Sequence, residues 1–196
     1  VSIVENYSHD LIDSIDVDQS DGIITLIGKL HQLGHRKIAF MTWVYDIPTP
    51  WVMNRFGSYV QGLFMNNLEF NLRRVINVLP GEHLDPFRCA DRVKELIEQG
   101  ITAVVCPADH QAYQLMQDLN GLGISVPKDI SITGFDGVYP PPQVPQLDSV
   151  KVPYEELGRS AVHQLIRRME QPTSPRRHIL VDGEVISGVT IRDRNV

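Results

Sequence analysis

Cysteine is scarce in this sequence: its 196 residues include only Cys89 and Cys106. Two thiols cannot build a disulfide framework or a four-thiolate metal site. Each falls within an apolar segment, one helical and one strand-like, so both read as small core hydrophobes, and a reducing, cytoplasmic setting fits. Basic charge is also short, with 18 Lys and Arg against 24 Asp and Glu and a formal net charge of -6. Phosphate backbones are bound by clustered Lys and Arg, so this segment is no nucleic-acid surface, and any DNA contact has to come from outside it. No apolar run reaches membrane-spanning length and no signal peptide opens the chain, so no membrane partner is expected. The chain begins Val1-Ser2-Ile3-Val4, strand-like and without Met, as the interior of a longer protein would. Phosphate-binding glycine loops, a nucleophile elbow and the H-E-x-x-H metal pattern are all missing, and the seven His are scattered without metal-ligand spacing. No catalytic residues, metal or cofactor are therefore expected, and the chain does not read as an enzyme.

What is present is an ordinary globular composition, 42% hydrophobic and 21% charged, in a length that gives one large domain or two small lobes. Short apolar, β-branched runs alternate with segments of helical period. After a strand at Ser2 to Glu5 and an alternating stretch from Ile12 to Val17, Ile23, Ile24, Leu26, Ile27, Leu30 and Leu33 recur at helical spacing up to Gly34, a helix-terminating glycine. The spacing then predicts a strand over 36–41, a helix over 51–67, a strand over 75–79, a helix opened by Asp85 or Pro86 and closed at Gly100, a strand over 102–106, a helix over 109–122 and a strand over 130–133. Strands alternating with helices define an α/β fold with a doubly wound parallel sheet. Beyond the proline-dense loop 139–145 come an extended piece at 147–152, a helix at 153–169 with Leu157, Ala161 and Leu165 on one face, and strands at 178–181 and 185–191.

Ile130-Ser131-Ile132-Thr133-Gly134-Phe135-Asp136-Gly137 reads as a buried strand that stops abruptly at a carboxylate, its glycines freeing the backbone to turn. Ligands of open α/β sheets bind beyond the carboxyl ends of the strands, where Asp136 would sit. An Asp beside Gly also serves as a plain turn residue bonding its own backbone.

Several spaced signatures coincide along the chain. They are Leu33-Gly34-His35-Arg36-Lys37-Ile38-Ala39-Phe40, Asn54-Arg55-Phe56-Gly57-Ser58-Tyr59, Thr102-Ala103-Val104-Val105-Cys106-Pro107-Ala108-Asp109, Val126-Pro127-Lys128-Asp129 running into Gly134-Phe135-Asp136, and Leu147-Asp148-Ser149-Val150-Lys151-Val152-Pro153 with Glu156-Leu157-Gly158. Together they resemble the effector-binding core of the lactose-repressor (LacI/GalR) family of bacterial transcription regulators. The resemblance implies a periplasmic-binding-protein-like, two-lobed architecture that closes on a small effector, a sugar or a nucleobase-like molecule, and changes DNA affinity by hinge motion. It also implies a homodimer, with operator DNA bound through an N-terminal head absent from this chain. Mapped on the sequence, residues 1–16 are a remnant of an incomplete first lobe, 17–148 the second lobe, 149–183 a return segment to the first lobe, and 184–196 the terminal strand of the second. The incomplete lobe would leave the Leu157, Ala161 and Leu165 face without its sheet.

By the same resemblance Arg55 is the arginine that forks onto ligand oxygens, which suits its planar donor array, although a surface arginine bonded to a neighbouring carboxylate is the plainer reading. Asp136 accepts from ligand hydroxyls or a base edge, and Glu5 takes an acidic contact position. Asp109 stands where relatives carry Asn-Asp; with Ala108 before it the amide contact is gone, and Asp109 either meets ligand or caps its helix, a role worth about 1 kcal/mol. Trp43, Tyr45 and Trp51 replace a smaller loop in relatives, and each stacks on ligand or packs in the core. His83 lies near the position of a pocket aromatic, or is an exposed loop histidine. His35 is expected to tie the end of its helix to the next strand. A periplasmic sugar-binding protein of a transport system is the alternative function, because its lobes look alike.

Overall fold

Strand segments that are apolar at every position have to be covered on both faces, and the fold satisfies this with helices on either side of a parallel sheet. A computed structural model describes residues 1–3, 12–44, 50–78 and 84–195. Its elements in chain order are β1 (Ser2–Ile3), β2 (Ser14–Val17), α1 (Asp21–Gln32), β3 (Ile38–Met41), α2 (Pro50–Met65), a 3-10 turn (Leu72–Arg74), β4 (Val75–Ile76), α3 (Pro86–Glu98), β5 (Ala103–Val105), α4 (Asp109–Gly121), β6 (Ser131–Asp136), β7 (Asp148–Lys151), α5 (Tyr154–Glu170), β8 (His178–Val181) and β9 (Glu184–Ile186). Among the described residues the strands form a six-stranded sheet in the order β4-β3-β5-β6-β7-β9 and a three-stranded sheet in the order β1-β2-β8. All pairings are parallel except that of β7 with β9.

The two-residue period of a strand separates the core into two halves. Ile38, Phe40, Ala103, Val105, Phe135 and Val150 face α1 and α2, where they meet Ile23, Leu26, Ile27, Leu30, Tyr59 and Leu63. Ala39, Met41, Val104, Cys106 and Ile132 face α3 and α4, against Cys89, Val93, Leu96, Ala112, Leu115 and Leu119. Both cysteines are buried there. Asp85 caps α3 through the backbone N–H of Arg88 at 2.9 Å, with Pro86 in the first turn.

His35 does more than link α1 to β3. It is fully buried, its Nδ1 2.8 Å from Thr102 Oγ1 before β5 and its Nε2 3.0 Å from the carbonyl oxygen of Arg192. It thus closes the amino-terminal edge of the large sheet against the last residues of the chain.

Two expectations about the lobes need correction. Residues 149–151, assigned to the return toward the first lobe, belong instead to β7 of the six-stranded sheet, paired with β6 from Thr133↔Asp148 to Asp136↔Lys151. Asp148 anchors it, accepting from Lys29 Nζ at 2.7 Å and from the Thr190 backbone N–H at 3.0 Å. The chain leaves for the small sheet only after Lys151. At the other crossing Val17, placed with the second lobe by sequence, pairs with Val181 in the small sheet. The final strand is also shorter than expected, Glu184–Ile186 in place of 185–191.

The second correction concerns α5, which packs on β1 and β2. Leu157 and Ala161 are buried within the chain itself, and the stripe continues at Gln164 rather than Leu165, because a spacing of four then three keeps one side of a helix inward. Leu165 is 49% exposed and falls in with Val162, Ile166 and Met169 on the outer side. The same helix carries Arg168, whose Nε and Nη2 donate to the two oxygens of Asp13 at 2.7 and 2.8 Å, while the backbone N–H of Arg177 donates to the same carboxylate at 2.8 Å. Arg168 also donates to the carbonyl oxygens of Pro172 and Ser174, and so fastens the polar break after α5.

Arg168 holds the Asp13 carboxyl well below the usual carboxylate range. The folded chain keeps Asp13 ionised where the unfolded chain has begun to take up a proton, so its stabilisation is present above pH about 4 and is lost as pH falls further. Asp13→Asn should therefore lower the melting temperature clearly at pH 7 and less at pH 3. An equal loss at both values would contradict this account.

Candidate functional site

In the large sheet β4 lies on one side of β3 and β5 on the other, so the direction of winding reverses between β3 and β5. At that reversal lie the carboxyl ends of the strands, where open α/β sheets form their ligand crevice. Trp43 follows β3, Pro107 follows β5, Asp136 ends β6, the first two turns of α2 bring in Trp51 and Arg55, and the first turn of α4 brings in His110.

Arg55 is the centre of this arrangement. It is only 6% exposed, which sets aside the reading of a surface arginine. Its Nε donates to Gln19 Oε1 at 2.6 Å, and its Nη1 donates to the carbonyl oxygen of Pro107 and reaches Asp136 Oδ1 at 3.3 Å. The guanidinium carbon lies 3.6 Å from the ring centre of Phe135 and 4.9 Å from that of Trp51, both within cation–π range. Sequence and structure therefore agree in bringing Arg55, Asp136 and Trp51 together.

Asp136 stands at φ +117°, a conformation that non-glycine residues rarely adopt, and Gly137 follows at +70°. The unusual backbone turns the carboxylate toward Arg55 as the strand ends. Burial pushes the Asp136 carboxyl up, and the charge of Arg55 opposes that rise.

Asp109 is corrected on both sequence readings. It is fully buried, so it offers nothing to a ligand, and the helix cap position belongs to Ala108. Its Oδ1 accepts from Ser149 Oγ at 2.6 Å and its Oδ2 from the Val138 backbone N–H at 2.7 Å. Asp109 is thus an internal strut that fixes the turn after Asp136 from below. Gly134 is what admits it: a Cβ at that position would collide with Asp109 Oδ1. The glycine expected to free a turn works instead inside β6, by having no side chain.

Trp43 is half-buried and packs against the α3–α4 core, yet it also meets the ring of His110 edge-on, at 5.0 Å between centroids. Its backbone N–H donates to the buried Gln111 Oε1 at 3.3 Å. Glu5, Tyr45 and His83 lie outside the described residues. His110, Gln19 and Gln111 were not singled out by sequence. A histidine and two glutamines at helix starts carry no distinctive spacing, so only their tertiary neighbours reveal them.

The site therefore offers a donor fork, an acceptor carboxylate, an imidazole and indole surfaces. Among the described residues no group of three His, Cys, Asp or Glu could hold a metal ion.

The chain belongs to the periplasmic binding protein-like domain family, whose model matches residues 27–191. It is similar to curated regulators of transcription. It is 30% identical over 165 residues to the HTH-type transcriptional regulator AscG of Escherichia coli (strain K12), covering 83% of this chain and 46% of that protein. It is 31% identical to the HTH-type transcriptional repressor PurR of Vibrio atlanticus (strain LGP32), covering 93% and 54%. The chain thus spans about half the length of the curated relatives it matches. The crystal structure of the Escherichia coli repressor ascG superposes with a TM-score of 0.74 at 26% identity, over 97% of this chain and 68% of that one. A complex of the transcriptional regulator CelR with cellobiose shares the fold, with a TM-score of 0.77 at 19% identity over 92% and 54%. The fold is the α/β architecture of LacI-family effector domains.

Burial pushes the Asp109 carboxyl up to about 7. The folded chain then keeps a proton that the unfolded chain releases near pH 4, so this group's contribution to stability is full below pH about 4 and fades as pH rises through 7. Asp109→Asn should cost most melting temperature at pH 5 and progressively less toward pH 8. A pH-independent loss would show that Asp109 titrates normally.

Proposed function

We propose that this chain is the effector-binding part of a bacterial transcription regulator, and that it takes a small polyhydroxylated ligand, a sugar, in the crevice above β3 and β5. The observation that carries the reading is the Arg55–Asp136 pair at the switch point of the sheet, with the Trp51 ring over the guanidinium and Trp43 against the neighbouring His110. A guanidinium donates, a carboxylate accepts, and indole faces cover the apolar faces of a sugar ring, which is the complement a sugar needs. The CelR–cellobiose complex on the same fold supports a sugar; a nucleobase-like ligand, which the family resemblance also allows, is the competing chemistry. Ligand closure of the two sheets would alter operator affinity through a DNA-binding head that is not part of these 196 residues, as the deficit of basic charge requires. The named relatives are regulators, which favours this reading over a periplasmic transport protein and over an enzyme. A regulator of this type works in the cytoplasm as a homodimer. The exposed Val162, Leu165, Ile166 and Met169 give the small-sheet side an apolar surface that the rest of a longer chain or a second copy would cover.

A thermal-shift screen of sugars and nucleobases on the full-length protein tests the reading, since a ligand that binds only the native state raises its melting temperature. Stabilisation by nucleobases alone would transfer the site to the other chemistry. Sedimentation of the same material tests the dimer.

For the ligand so found, Asp136→Asn and Arg55→Lys should each weaken binding by about 10- to 100-fold, the range expected when a hydrogen bond to a charged group is lost. Truncation of Arg55 to Ala is a poorer test, because it also leaves buried acceptors, the Asp136 carboxylate among them, without their donor and lowers stability. Unchanged affinity by calorimetry in both conservative variants would remove the pair from the site. Trp43 and Trp51, the only two tryptophans, both border the crevice, so intrinsic fluorescence should change on binding. A silent titration with a ligand that calorimetry shows to bind would place the sugar elsewhere.

A further inference from the structure

The first turn of α4 is held more tightly than a helix start needs to be. Asp109 is bonded to Ser149 and to the backbone of Val138, and Gln111 accepts from the backbone of Trp43. These two buried residues fix the turn to the loop after β6 and to the loop after β3, the two loops that border the crevice. Between them His110 is exposed. Its ring is kept in place by the edge of Trp43, at 5.0 Å and an angle of 72°. It lies within electrostatic reach of both Asp136 and Arg55. Among the described residues its ring nitrogens take no hydrogen bond, although everything around the ring is fixed.

We propose that His110 is a specificity-determining contact of the site, reading one hydroxyl of a neutral polyol beside the oxygens held by Arg55 and Asp136. The proposal rests on the sugar reading given above and adds to it the group that the charged pair lacks. Arg55 can only donate and an ionised Asp136 can only accept, whereas a hydroxyl does both at once. A neutral imidazole presents one donor and one acceptor on a rigid ring, and so matches a hydroxyl in either sense. The surroundings keep the ring neutral: partial burial and the Arg55 charge depress its protonation against the pull of Asp136, and the amino-terminal end of a helix disfavours a cation. A structural role accounts for the site less well, since an exposed ring without hydrogen bonds contributes little to the fold beyond its contact with Trp43.

The test uses the full-length protein with D-ribose and cellobiose as probes and hypoxanthine as the nucleobase comparison, bound to wild type, His110→Phe and His110→Gln. His110→Phe keeps a ring against Trp43 and removes the polar pair; His110→Gln keeps a donor and an acceptor. For a sugar that binds wild type, the Phe variant should bind about tenfold more weakly, the equivalent of one lost hydrogen bond. Its melting temperature without ligand should be unchanged, and the Gln variant should recover most of the affinity. Equal affinity in wild type and His110→Phe would overturn the role of His110 while leaving the sugar site standing. Loss of affinity in the Phe variant together with loss of stability, and without rescue by Gln, would make His110 a structural residue and likewise overturn it. Binding of hypoxanthine and neither sugar by wild type would overturn the sugar reading, and the proposal with it.

Discussion

A guanidinium withdrawn from water must be paired where it lies, because an unpartnered buried charge costs several kcal/mol. Among the described residues Arg55 meets this demand with groups from three places: Gln19 just ahead of α1, Pro107 beyond β5, and Asp136 at the end of β6. The floor beneath it is Phe135, one residue before its acidic partner. One side chain therefore draws together the carboxyl end of the sheet, and the donors and acceptors of the crevice are in register without a ligand. Preorganisation of this kind reduces what a ligand must spend on ordering its site.

The position of Asp136 depends in turn on a steric permission. A buried carboxylate is tolerated at Asp109 because Ser149 and Val138 donate to it, and it reaches them only because residue 134 has no Cβ. The strained backbone at Asp136 is over-determined from two sides, by Arg55 above and by the Asp109 bond to Val138 two residues on.

The layered part of the fold was legible because strands such as Ile38-Ala39-Phe40-Met41 and Ala103-Val104-Val105 are apolar on both faces, and helices such as α1 and α3 carry clear periods and end signals. The pair Arg55 and Asp136 was reached through spaced motifs rather than through periodicity. What local sequence could not supply was partnership. Asp148-Ser149-Val150-Lys151 is an extended piece in either sheet, and only its register with β6 decides between them. Leu165 is as apolar as Leu157, and the direction of α5 is set by where Gln164 and Ala161 fall in the turn. Asp109 looks like a helix cap to any local reading, because the hydroxyl and the N–H that claim its oxygens are 40 and 29 residues away in sequence. Glu5, Tyr45 and His83 fall outside the described residues and stay as sequence expectations.

The bond from Arg55 to Gln19 gives the site a mechanical address. Gln19 follows directly on Asp18, where the chain passes from β2 of the small sheet into α1 of the large one, and the backbone N–H of Asp18 is itself bonded to the carbonyl oxygen of Val181 in β8. The arginine proposed to hold the ligand and the crossing between the two sheets are thus two hydrogen-bonded steps apart. A ligand shifts the balance between arrangements of two lobes only by interacting differently with each. An oxygen that competes with Gln19 for the Nε of Arg55 would do so at the crossing itself, whereas one that takes only the Asp136 side would leave the crossing as it is. Two ligands of equal affinity can therefore differ in what they do to the lobes, according to which edge of the same guanidinium they use.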